Sequence, residues 1–179
     1  MNGLLKYFNK EELEHLKTMD LYSKSEVLVR RLFEGKTDKE GKTYVNHLLR
    51  VSEKMTSIDG KVAGLLHDVV EDIEGVSFED LSRLGIPDNI IEALELVTKE
   101  STTKNLTKQQ KLQKYNGEID KIIESKNLLA LGLKIADMSD NYDLNRLKNL
   151  PKEKQNWFKE KYEKNLEKLR KARREYDRH

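Results

Sequence analysis

The sequence predicts an all-α protein, a compact multi-helix bundle. Three observations carry that expectation. Stretches rich in Leu, Lys and Glu, all good helix formers, fill most of the chain. Proline occurs only at Pro87 and Pro151, each after a natural break and each placed to open a helix. No segment shows the apolar–polar alternation of a half-buried strand. Amphipathic helices must bury their apolar stripes against one another, and a bundle is the result.

In chain order, helices are expected at about 11–33, 43–56, 60–71, 77–84, 87–97, 107–125, 127–143 and 151–174. Residues 35–41 hold two glycines and mixed charges, and read as a loop. Asp59 is placed to cap the stretch that begins at Gly60. Ser77 followed by Asp80 reads as a variant capping box. Gly85 can stop that short helix, and Pro87 can start the next. Residues 130–135 are apolar enough for a buried strand. They run on into Ala136 and Met138 without a turn, so the helix is favoured.

A chain of 179 residues suits one domain with a substantial core. The 34 basic and 32 acidic residues nearly cancel, which argues against both a nucleic-acid coat and an acidic disordered chain. Cysteine is absent, so thiolate nucleophiles, disulfides and Cys-ligated metals are excluded. The first sixteen residues lack a long apolar core and a small-residue cleavage site, and the expected location is cytoplasmic, with no membrane partner.

Charge divides the chain unevenly. Residues 151–179 carry 11 basic and 6 acidic groups, against a slightly acidic 1–150. The expected organisation is a core over 1–150 and a C-terminal basic helix over 151–179 packed on the same domain. Two readings of that helix stand beside each other. Its cations could touch nucleic acid, or Trp157, Phe158, Tyr162, Leu166 and Leu169 could form an apolar side packed on the bundle. Helical periodicity favours the second, and nucleic acid is not an expected partner.

Four histidines are present. His15 lies on a charged helix and His179 is terminal, so both read as surface residues. His47 and His67 have more informative surroundings. Residues 63–72 read AGLLHDVVED, placing His67, Asp68, Glu71 and Asp72 in an apolar run. On one helix, His67 and Glu71 would be i,i+4, as would Asp68 and Asp72. Such groups are costly in a core unless they are paired or bind a metal. Both remedies fit the sequence. His47 and Asp137 stand in two further apolar helices, and Asn141 shares a face with Asp137. Convergence of two imidazoles with two carboxylates would suit Mn²⁺, Zn²⁺ or Fe²⁺ better than Ca²⁺.

The order His47, then His67–Asp68, then Asp137 resembles the signature of the HD metal-dependent phosphohydrolase superfamily. It is most similar to the RelA/SpoT hydrolase domain and the small stand-alone alarmone hydrolases. The stretch Gly41-Lys42-Thr43-Tyr44-Val45-Asn46-His47 resembles that family's Gly-x-x-Tyr-hydrophobic-x-His motif. Leu65–Asp72 reads Leu-Leu-His-Asp-Val-Val-Glu-Asp unbroken. Val97-Thr98-Lys99 and Lys134-Ile135-Ala136-Asp137 follow in the expected order, and Trp157-Phe158 fits a late aromatic helix. The resemblance covers about residues 20–170.

The resemblance implies an all-helical fold with a Mn²⁺ cofactor that removes the 3′-diphosphate of (p)ppGpp, giving GDP or GTP and pyrophosphate. It implies metal ligation by His47, His67, Asp68 and Asp137. Glu71 and Asp72 would orient the water and move a proton, unless they are simply solvated acids. Lys134 and Asn141 would lie near the nucleotide. Lys99 would too, or would be an exposed helix-end lysine. Tyr44 would line a base pocket or serve as a core aromatic.

Departures from the family pattern fall elsewhere. The loop that usually supplies a guanine-stacking Arg reads Lys36-Thr37-Asp38-Lys39-Glu40, leaving Lys39 as the substrate contact to expect. The family's Arg-Leu-His is replaced by Met138-Ser139-Asp140. These changes spare the metal set and are expected to alter the substrate wall. A phosphohydrolase for another nucleotide and a non-catalytic nucleotide-binding protein therefore remain the alternatives.

Overall fold

The structure is a computed structural model that describes residues 3–38, 41–99 and 106–177. Its regular elements are helices. After a 3-10 turn at Leu4–Lys6 come α1 (Lys10–Thr18), α2 (Leu21–Leu32), α3 (Val45–Glu53), α4 (Ile58–Leu66) and α5 (Val69–Asp72). Then follow α6 (Phe78–Arg83), α7 (Asp88–Val97), α8 (Lys108–Glu124), α9 (Leu128–Asn141), α10 (Leu144–Leu147) and α11 (Lys152–Tyr176). Among the described residues, strand-like pairing is limited to one antiparallel bridge, Thr37 with Thr43, in the loop before α3. Gly41 closes that turn at φ +77°, a conformation that favours glycine. No helix among the described residues is long and apolar enough to cross a membrane.

Two helices organise the core. α4 packs against α2, α3, α7 and α9, while α9 packs against α3, α4, α7, α8 and α11. Val62, Ala63, Leu65, Ala130, Leu131, Leu133 and Met138 are completely buried. Residues 130–135 look strand-like because α9 is enclosed on most sides and so has little polar face to display. α3 approaches α4 closely at Gly64, where a Cβ would lie 2.6 Å from Ser52 Cα. α11 rests on α8 and α9 through Phe158, Tyr162, Leu166 and Leu169, all buried. Trp157 is half-buried, with Lys108 Nζ 5.1 Å from its ring centre.

Several expected boundaries are corrected. The helix expected over 11–33 is two helices, because Asp20 caps a new start by accepting from Ser23 N. Ser57, not Asp59, caps α4, accepting from Gly60 N. The box of Ser77 and Asp80 forms as expected. The helix expected over 127–143 ends at Asn141, and Asp143 caps the short α10. The helix expected over 60–71 is interrupted at His67–Asp68, with Asp68 at φ −103°, ψ 0°. That bridge-region geometry recurs at functional residues.

Candidate metal centre

The interruption at His67–Asp68 lies at the middle of the bundle. His67 ends α4, and Asp68 begins α5. His47 comes from the adjacent α3, and Asp137 from α9. Ligand atoms of His47, His67 and Asp68 all lie within 4.8 Å of one another. The Nε2 atoms of His47 and His67 stand 3.5 and 3.7 Å from Asp137 Oδ1. Their distances to Asp68 Oδ2 are 3.8 and 3.1 Å.

Both rings are aimed from behind. His67 Nδ1 lies 2.8 Å from Gly64 O, and a carbonyl can only accept, so Nδ1 carries the proton. Among the described residues His67 Nε2 is buried with no well-aligned hydrogen-bond partner, Asp68 Oδ2 standing 3.1 Å away. His47 Nδ1 lies 2.8 Å from Asp140 Oδ2, which also leaves Nε2 facing the centre. An orphaned imidazole nitrogen, a second imidazole and two carboxylates fit a divalent transition-metal ion.

Electrostatics follow from this crowding. Burial disfavours the His47 imidazolium, but Asp137 and Asp140 at its two nitrogens outweigh that cost and raise its pKa to about 9. His67 is also raised: burial opposes its charge, and Asp68 overrides the penalty. Burial works against ionised Asp137, yet Lys134 and the two histidines hold it well below the usual carboxylate range. Burial likewise opposes ionised Asp140, which hydrogen bonds from His47, Arg50 and Lys54 hold low.

The other expected site residues gather around this centre, with one exception. Lys39 lies outside the described residues. Tyr44 stacks on Phe33 at 5.1 Å and donates its hydroxyl to Asp68 at 2.6 Å. It therefore belongs both to the core and to the site. Burial, then the Asp68 charge, pushes that hydroxyl well above its ordinary pKa, so it stays a donor. Lys99 Nζ pairs with Glu71 at 3.0 Å. Lys134 is buried and donates to Asp137 at 3.3 Å. Asn141 Nδ2 donates to Asp137 Oδ1 at 2.5 Å. The Asp72 carboxyl is pushed up by burial and by the charges of Asp68 and Glu71.

Tyr44, Glu71, Asp72, Lys99, Lys134 and Asn141 line one cavity of about 180 Å³ with Asp68 and Asp137 at its base. Tyr115 from α8 and Lys161 and Tyr162 from α11 complete it. These three were missed in the sequence as site residues. Tyr162 read only as part of an apolar stripe, and nothing local marks Tyr115 or Lys161. The residues that stand in place of the Arg-Leu-His motif do not line this cavity. Met138 is fully buried, Ser139 accepts from Arg170, and Asp140 stands behind His47.

No family model matches the sequence, and comparison with curated proteins finds no match. The chain is similar to a solved structure described as "A metazoan ortholog of SpoT hydrolyzes ppGpp and plays a role in starvation responses". The two are 25% identical, with a TM-score of 0.63, over 87% of this chain and 96% of that one. The His47, His67, Asp68 triad and this likeness together support an HD-superfamily metal-dependent hydrolase.

Proposed function

We propose that the protein hydrolyses (p)ppGpp, removing its 3′-diphosphate as pyrophosphate and leaving GDP or GTP. The observation that carries this reading is a metal-ligand cluster at the base of a cavity lined by Lys99, Lys134, Lys161 and three tyrosines. Lysines suit phosphate charge, and aromatic rings suit a nucleoside. The similar solved structure is described as hydrolysing ppGpp, which supports the choice among nucleotides.

In this reading His47, His67, Asp68 and Asp137 hold the ion, with Mn²⁺ as the proposed metal. An ion bound there would lower the pKa of a water and polarise a phosphoryl oxygen. Glu71, held by Lys99, orients the attacking water. Attack on the phosphorus attached to the ribose 3′ oxygen breaks that phosphorus–oxygen bond. The bonding pair stays on the 3′ oxygen, which takes a proton as pyrophosphate leaves. Asp72 is suited to carry that proton, because its surroundings favour the protonated carboxyl. Lys134 and Asn141 position Asp137 and face the phosphates.

A second reading is hydrolysis of a different nucleotide. Lys36, in the loop that departs from the family pattern, donates to Asp72 O at 2.7 Å and lies over the Phe33 ring. An ammonium so engaged does not offer the planar face with which a guanidinium stacks on guanine. The test is product analysis with purified protein, Mn²⁺ and ppGpp. GDP plus pyrophosphate is expected, abolished by EDTA and by Glu71→Gln, with metal still bound in the variant. Metal binding without turnover of ppGpp would overturn the substrate assignment. A nucleotide panel would then separate another hydrolase from a binding protein.

A further inference from the structure

A second charged cluster stands behind His47, away from the cavity. Asp140 is only 2% exposed, on α9, one turn beyond Asp137. Besides His47 Nδ1, it meets Arg50 Nε at 2.8 Å, Arg50 Nη2 at 2.9 Å and Lys54 Nζ at 2.9 Å. Arg50 follows His47 on α3 by three residues, and Lys54 ends that helix, so one element carries the ligand and both cations. A buried carboxylate is tolerated when charge and hydrogen bonds surround it, and here they do.

The consequence falls on His47. A carboxylate only accepts, so the neutral ring must carry its proton on Nδ1 and present the Nε2 lone pair forward. His67 is aimed differently, by the backbone carbonyl of Gly64. One histidine is thus set by the main chain and the other by a single side chain.

We propose that Asp140 is a positioning residue for the metal: anchored by Arg50 and Lys54, it fixes the tautomer and plane of His47 and so sets how tightly the ion is held. This rests on the reading of the cluster as a metal centre. The substitution Asp140→Asn keeps the shape of the side chain. Its oxygen will take the Oδ1 place, where Arg50 Nε and Lys54 both donate, leaving the NH₂ in the Oδ2 place toward His47 at the loss of the single bond from Arg50 Nη2. Nδ1 must then accept, and the proton moves to Nε2, where it blocks the ion.

The experiment measures Mn²⁺ affinity and the Co²⁺ absorption spectrum of the full chain, with circular dichroism as the folding control. Asp140→Asn is expected to weaken Mn²⁺ binding about 10–100-fold, the usual scale for losing such a partner, and to shift the Co²⁺ bands. Asp140→Ala serves as a second variant and should weaken binding as well. A triple variant, Asp140→Ala with Arg50→Gln and Lys54→Gln, removes the cations without returning an acceptor to Nδ1 and should remain weak. If the triple variant regains wild-type affinity, unscreened cations caused the loss and positioning is overturned. A folded Asp140→Asn protein with wild-type affinity and spectrum would overturn it as well. Wild-type protein that binds neither ion would instead overturn the metal centre itself.

Discussion

His47 couples metal uptake to protons. With its pKa at about 9, the ring is charged at neutral pH in the metal-free protein. A metal takes only the neutral ring, so binding must expel a proton. His67, raised as well, must also be neutral, so Mn²⁺ affinity should rise by at least about tenfold per pH unit between pH 7 and 9, read by titration at a series of pH values. The metal-free fold responds in the opposite sense. A raised histidine pKa stabilises fully below about 6.5, and that contribution is lost as pH climbs through 9. Removing a ligand is a blunter test: Asp68→Asn should abolish both Mn²⁺ binding and hydrolysis, whereas Glu71→Gln should spare the metal. The candidate ligands were legible in the sequence because His47, His67, Asp68 and Asp137 sit in apolar runs, where an ionisable group demands a reason. Asp140 was not legible. Its partners Arg50 and Lys54 lie 90 and 86 residues away, and local spacing says nothing across such a gap.

At the scale of elements, the contact between α3 and α4 governs the centre, because each helix delivers one histidine. A methyl group at Gly64 would press on the Ser52 backbone, 2.6 Å from Cα and 2.7 Å from N. No side chain can swing aside there. Gly64→Ala should cost about 1–3 kcal/mol in urea denaturation and weaken Mn²⁺ binding as the histidines separate. Helix existence was legible from propensity and from the two prolines; helix interruption was not. Residues 11–33 and 60–71 are continuous in propensity, and the breaks come from Asp20 turning to cap Ser23 and from His67–Asp68 turning into the centre. Asp59 and Ser57 are both good caps by type. Only the geometry shows that Ser57 takes the role.

Over the whole molecule, α4 and α9 form a buried axis on which the other helices lean, and α11 closes one side. Leu169, on the inner side of α11, is completely buried. Leu169→Ala should cost about 2–5 kcal/mol in urea denaturation, although the residue lies in the most charged part of the chain. Activity per folded molecule should hold, since Leu169 does not line the cavity. The apolar side of α11 could be read from helical periodicity. Its pairing with α8 and α9 could not, because one amphipathic stripe looks the same whichever neighbour covers it. Lys161 shows the cost of that gap: among the exposed lysines of α11 it reads as solvent-facing, yet it lines the cavity opposite Asp72 and Glu71.

The chain holds a single tryptophan, so its long-wavelength emission reports from one place. Trp157 sits one turn before Lys161 on α11, with the Lys108 ammonium of α8 poised over the indole. A nearby cation changes the brightness and colour of an indole. Any ligand that shifts α8 against α11, or draws Lys108 aside, should therefore change the protein's own fluorescence. The molecule carries an unlabelled optical gauge where α8 meets α11, one turn from the cavity residue Lys161, readable in a cuvette before any product is measured.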